Sequence, residues 1–170
     1  MTIPSQIKTV IDQQLAALDG LLVKAAANGG DALLSAKLAD DMASLAGQVR
    51  IACDQVSAGL KRLSDSKIML ADEDDTTIAA ARERVAKARA AASSQTDSSF
   101  VADDAPIELK LPNGMHFAMR ADEYARDWLI AQLYFHVVAA YMILRAQGLA
   151  VGKADFVGYI ARYAKKPSAT

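Results

Sequence analysis

Sulfur and imidazole chemistry is scarce in this chain: 170 residues contain one cysteine and two histidines. A lone Cys53 excludes an intrachain disulfide and any metal site built from several cysteines. Aromatic residues make up 6% and β-branched residues are not abundant, which tells against a β-sandwich. The net charge of −1 gives no field to draw in nucleic acid or an anionic membrane, so neither partner is expected. No Ser/His/Asp set, no glycine loop that would cradle phosphate and no basic patch interleaved with aromatics is present. The N-terminal MTIPSQIKTVIDQQ lacks an apolar signal core and is already amphipathic, so a bacterial-type cytoplasmic location is expected. Trp128 to Leu144 carries no charge, but it falls short of the ~20 residues a span needs and is interrupted by Gln132 and His136; a buried helix is the expectation.

What is present is mostly apolar: 52% of residues are hydrophobic, with Ala and Leu, both good helix formers, prominent. One domain over residues 1–170 is expected, with 164–170 as a flexible tail. Ile7, Val10, Ile11, Leu15, Leu18, Leu22 and Ala25 form one stripe of a first helix, from about Pro4 to Ala27. Thr2 or Ser5 is placed to cap it, and Asn28-Gly29-Gly30 to stop it. The following DALLSAKLADD begins with a helical turn. Met42, Leu45, Val49, Cys53, Val56, Leu60 and Leu63 mark a second helix, Met42 to Leu63. Cys53 sits inside that stripe, so an inert, buried thiol is expected. Arg50 and Asp54 are spaced to pair along its surface. Asp72-Glu73-Asp74-Asp75 reads as a solvated acidic loop, and Arg162, Lys165 and Lys166 as a solvated tail. A third helix, Thr76 to Ser93, starts at a Thr76 or Thr77 cap. It has a thin stripe of Ile78, Ala81, Val85, Ala88 and Ala92, and Glu83–Lys87 gives it local support.

The period then changes. After the polar linker SSQTDSSFVADDAP, the segment IELKLPNGMHFAM alternates as a β-hairpin. A two-residue Asn-Gly loop would set Lys110 opposite Phe117. A three-residue loop, Pro112-Asn113-Gly114, sets Leu111 opposite Met115 and Leu109 opposite Phe117, which alone puts the apolar residues on one face. His116 then points outward beside Lys110. Helix four, Asp122 to Gln147, ends at Gly148. It is apolar nearly all round, which requires a central position or burial by a second subunit as well as its own. Gln132 and His136 lie one turn apart on one side; Tyr134, Tyr141 and Arg145 lie on the other. KADFVGYIARYAKK is expected as a short helix with Phe156, Tyr159, Ile160 and Tyr163 as its apolar face.

Helix four and its sequel, LYFHVVAAYMILRAQGLAVGKADFVG, resemble the signature of a bacterial family of unknown function within the DinB/YfiT-like superfamily. The matching residues are Tyr134, Phe135, His136, Val137, Ala140, Tyr141, Ile143, Leu144, Arg145, Gly148, Gly152, Lys153, Asp155, Phe156 and Gly158. A second block, DDMASLAGQVRIACDQ, matches through Asp41, Met42, Leu45, Gln48, Val49, Ala52 and Asp54, and Arg62-Leu63 also fits. The family often has Pro-Asn at Ala131-Gln132 and threonines at Val138 and Ala139, so a more regular helix four is expected here.

The resemblance implies an all-α fold: an up-and-down, DinB/YfiT-like four-helix bundle with one small β-hairpin between helices three and four. Catalytic DinB-like proteins hold a divalent metal with three histidines, one from helix two and two from the last long helix, four residues apart. His136 falls on the second of these last two positions and Gln132 on the first. The helix-two position lies near Gln48 or Asp54. One ligand of three is therefore kept, and a neutral amide oxygen is a weak ligand for zinc or nickel. The expected function is a non-catalytic, homodimeric bundle or small-ligand binder with a degenerate metal site and no cofactor. Gln132 and His136 would then be a satisfied polar pair, and Tyr134, Tyr141, Arg145, Lys153 and Asp155 the further candidates for contacting a small molecule. The alternative is a zinc- or nickel-dependent hydrolase or thiol-transferase using His136, Asp54 and Gln132.

Overall fold

The computed structural model describes residues 2–165; Lys166 and most of the expected tail lie outside the described residues. Helix α1 (Ile3–Ala27) buries Ile7, Ile11, Leu15, Leu18, Leu22 and Ala25, each large side chain contributing roughly 1.5–3 kcal/mol on transfer from water. Thr2 is its N-cap residue, but its hydroxyl donates to Ser5 Oγ at 3.4 Å and caps no backbone N–H. A 3₁₀ turn (Gly30–Ser35) follows, entered through Gly29 and Gly30 at positive φ. Helix α2 (Leu45–Leu63) starts three residues later than the periodicity predicts. Ser44 is the reason: its hydroxyl accepts from Gly47 N at 3.2 Å, a cap that the apolar pattern, already satisfied at Met42, does not reveal. Cys53 is fully buried, and burial pushes its thiol pKa up to about 12, so the thiol is inert at neutral pH.

Helix α3 (Ile78–Ser94) buries the expected thin stripe. The Thr77 hydroxyl accepts from Ala80 N at 3.1 Å, and Asp31 accepts from Ile78 N at 2.8 Å, so the first loop also caps α3. The acidic loop before it is not simply solvated. Asp74 pairs with Arg50 at 2.7 Å, and Asp75 with the buried Arg84 at 2.7 Å. Arg84 also donates to Ala71 O and Glu73 O, each at 2.7 Å. A buried cation needs such partners, and the loop wraps the guanidinium to supply them.

Strands β1 (Pro106–Lys110) and β2 (His116–Arg120) pair antiparallel with Leu109 opposite Phe117 and Lys110 opposite His116. Gly114 donates to Leu111 O at 3.0 Å with φ 87°, the left-handed position a three-residue loop requires. His116 is on the outer face, its Nε2 3.3 Å from Glu108 Oε2. Ile107 and Leu109 are buried, while Phe117 is partly open and leans on Trp128, ring centroids 5.9 Å apart.

Helix α4 (Ala121–Ala146) is less regular than expected: Tyr124–Ile130 winds as a π-helix. It crosses α2 where Gly59 leaves room for Leu129; a Cβ on Gly59 would lie 2.6 Å from Leu129 Cδ2. By length and composition alone α4 could cross a membrane, and 39% of its most apolar window is buried within the chain. One face, including Leu129, Leu133, Val137, Ala140, Ile143 and Leu144, enters the core; Phe135, Val138 and Met142 do not. Gly148 ends it at φ 81°. The C-terminal segment is broken rather than one helix: α5 (Lys153–Phe156) gives way to a 3₁₀ turn (Gly158–Tyr163). Phe156 and Tyr159 are half-buried, whereas Ile160 and Tyr163 are exposed, because the break turns them off the bundle.

Candidate functional site

Two polar clusters lie along α4. The first joins α2 to α4. Its Ser44 cap starts α2 so that Gln48, three residues into the apolar stripe from Leu45, faces inward and is buried. The Gln48 amide is oriented by a local bond: Nε2 donates to Ala43 O at 3.2 Å. Its Oε1 is thereby turned to His136, 2.8 Å from Nδ1. An amide oxygen only accepts, so His136 Nδ1 carries the proton and donates, and Nε2 holds the lone pair. Burial pulls the His136 pKa below its ordinary value, because a charged ring is poorly solvated there. The Phe135 ring stands edge-on to the imidazole, centroids 5.2 Å apart.

The expected Gln132–His136 pair is therefore replaced by a Gln48–His136 pair. Gln132 is half-buried one turn away. Asp54 is engaged elsewhere, accepting from Arg50 Nη1 at 3.1 Å, and burial raises its pKa against the pull of Arg50. Among the described residues no three His, Cys, Asp or Glu side chains come together as a metal site. The side chains brought together here are the His136 imidazole and the neutral Gln48 amide, with the neutral amide of Gln132 one turn along α4. That set does not fit zinc or nickel, which are held by imidazole, thiolate or carboxylate.

The second cluster holds the C-terminal segment. Arg145 Nη1 donates to Val151 O at 2.6 Å. The Phe156 ring sits between Tyr134 and Tyr141, at 6.5 and 6.3 Å. Asp155 accepts from Gly152 N at 2.8 Å and pairs with Lys24 of α1 at 2.7 Å. Lys153 is exposed. Tyr134, Tyr141, Arg145 and Asp155 thus fasten the segment across α1 and α4. Sequence reasoning missed Gln14 here. It is fully buried on α1; its amide makes no hydrogen bond of ordinary geometry among the described residues, yet it lies against the Tyr134 hydroxyl and lowers that group's pKa, opposing burial. Its position between the stripe residues Ile11 and Leu18 was the available signal. Burial raises the pKa of the neighbouring Tyr134 hydroxyl, with Tyr159 adding to the effect. A concavity of about 200 Å³ lies between Met69, Ala71, Asp75, Arg84 and Lys87, away from both clusters.

Four long helices with a hairpin between the third and fourth make a DinB-like bundle. The chain belongs to the family described as a domain of unknown function (DUF1993), which matches residues 5–157. Its structure is similar to that of a DinB family member protein from Shewanella denitrificans, at 28% identity and a TM-score of 0.79, over 100% of this chain and 99% of the other. No curated protein matches the sequence.

Proposed function

We propose that this protein is a non-catalytic, homodimeric DinB-like bundle in which a structural hydrogen bond fills the place of the metal centre. The bond from His136 to Gln48, at 2.8 Å, carries this reading. It occupies one imidazole nitrogen and sets a neutral amide where a second strong ligand would be needed. The homodimer is supported by the apolar side chains α4 turns away from its own core, Phe135, Val138 and Met142; an exposed apolar stripe of this kind marks an interaction surface. A buried, single thiol suits a reducing compartment, and we place the protein in the cytoplasm.

Elemental mass spectrometry on tag-free protein, purified without chelator and reloaded with zinc, nickel or manganese, tests the reading. Sub-stoichiometric metal, unchanged in His136→Ala, is the expected result. Stoichiometric metal lost in His136→Ala would replace the reading with a metal-dependent enzyme.

A further inference from the structure

Among the described residues, Gln14 alone has fully buried side-chain atoms, Nε2 and Oε1, that make no hydrogen bond of ordinary geometry. Native interiors pair such groups, and an exception marks a place where something else supplies the bonds. The Tyr134 hydroxyl of α4 lies against both the Gln14 amide and the Tyr159 hydroxyl. The Phe156 ring packs on Tyr134, centroids 6.5 Å apart. Tyr159 also forms part of a cavity of about 220 Å³, with Gln13, Ala16 and Ala17 of α1 and Asp155 and Gly158 of the C-terminal segment. Ala17 follows Gln14 by three residues, so the two are neighbours on the helix surface. We propose that this cavity and the Gln14 amide form one binding site for a small, neutral aromatic carboxamide, with Tyr159 as its gate. The amide of the ligand pairs head to head with that of Gln14, and its ring lies in the cavity. The proposal goes beyond the reading of His136 and Gln48 and does not depend on it.

The chemistry of the buried groups selects this class. A carboxamide offers N–H donors beside a carbonyl acceptor, and a second carboxamide is its complement, with one bond running each way. The Tyr134 hydroxyl can donate or accept, so it can serve either atom that remains. A charged ligand has no free countercharge here. Asp155 is taken by Lys24 at 2.7 Å and by Gly152 N at 2.8 Å, and an unpaired ion is costly to bury. A purely apolar ligand would leave the amide without its bonds. The cavity is below the roughly 300 Å³ at which sites for drug-sized molecules begin, so a single ring with one polar group is the size it takes. Access comes through the turn that carries Tyr159. Gly158–Tyr163 holds no fully buried residue, and the ties that fasten the segment, Asp155 to Lys24 and Arg145 to Val151, lie upstream of it. Tyr159 can therefore swing aside with little loss of packing while the segment stays in place. A trapped water is the competing occupant, since it would also satisfy the amide.

Benzamide is the probe. Titrated into the nitrogen-15-labelled full chain and followed by NMR, it should bind saturably at one site per chain, and the Gln14 side-chain amide resonances should be among those that move. Gln14→Leu should weaken binding roughly tenfold or more, because the paired amide bonds are lost. Ala17→Leu, which grows a side chain into the cavity and keeps Gln14, should weaken it too. Benzoate has the same shape but carries a charge and no N–H, and should bind the native chain no better than benzamide binds Gln14→Leu. No saturable binding of benzamide to the native chain would overturn the proposal and leave the amide to a trapped water. Binding that survives either substitution would place the probe elsewhere and overturn it as well, and equal affinity for benzoate would overturn recognition by the amide.

Discussion

Replacing Arg84 by alanine is the sharpest perturbation available to the bundle. The Arg84 side chain is 5% exposed and that of its partner Asp75 13%. Two bonds reach the carboxylate, at 2.7 and 3.3 Å, and two more reach Ala71 O and Glu73 O at 2.7 Å. Alanine leaves a carboxylate and two carbonyls facing a void. Breaking a buried pair by removing one partner costs about 3–5 kcal/mol, because the other charge is left uncompensated. For a chain of this size that is a loss of roughly 6–20 °C in Tm. Lysine should recover little, since one ammonium cannot spread over three acceptors as the planar guanidinium does. Arg84→Met combined with Asp75→Leu should recover most of the loss, since no unpaired charge is left. Urea unfolding followed by circular dichroism, at one fixed protein concentration, measures all four proteins. A change within about 0.5 kcal/mol for Arg84→Ala, the range of an ordinary surface substitution, would refute the argument that this loop is organised around a buried cation.

Three further outcomes follow from the packing. Gly59→Ala should destabilise by about 1–3 kcal/mol through overpacking against Leu129, despite alanine's higher helix propensity, and Leu129→Ala in the same chain should relieve the clash; a stabilised Gly59→Ala by thermal melt would contradict the close crossing of α2 and α4. Gln14→Leu should leave stability in urea within about 1 kcal/mol, because the buried amide makes no hydrogen bond of ordinary geometry and only a weak contact with the Tyr134 hydroxyl offsets its desolvation; a loss above about 1 kcal/mol, the size of a typical net hydrogen bond, would mean that Gln14 is satisfied. The third concerns pH. His136 has a folded-state pKa below 6.5, so the unfolded chain takes up its proton first as pH falls. Its contribution is present above the unfolded value and lost as pH drops from 6.5 through the folded pKa. Asp54, raised from 3.8 by burial, acts in the opposite sense. Native unfolding free energy should therefore decline between pH 7 and the folded His136 pKa, and His136→Gln should flatten that decline; equal slopes would exclude His136 as its source.

The elements most legible in the sequence were those with a strict period. The hairpin register followed from alternation, because a one-residue slip would have exposed Leu109. The stripes of α1, α2 and α3 followed from helical spacing. Three features had no local signature. The π-helical stretch at Tyr124–Ile130 is a backbone adjustment with no residue requirement. Arg84 looks like one more charge on a polar helix, and only the fold brings residues 71–75 over it. Gln48 was one of two candidates, with Asp54, for the helix-two position of the family pattern, yet its pairing with His136 spans 88 residues, and the nearer Gln132 offered a simpler local partner. The break after Phe156 was missed for the related reason that the apolar period continues through it.

The central claim is that His136 is held by Gln48 and not by a metal. Nitrogen-15 NMR of the histidine side chains, with and without one equivalent of zinc, addresses it directly. The account predicts a neutral ring at pH 7 with the proton on Nδ1 and resonances that zinc leaves in place. A shift of the His136 Nε2 resonance on stoichiometric zinc, absent in His136→Gln, would contradict it and make His136 a metal ligand.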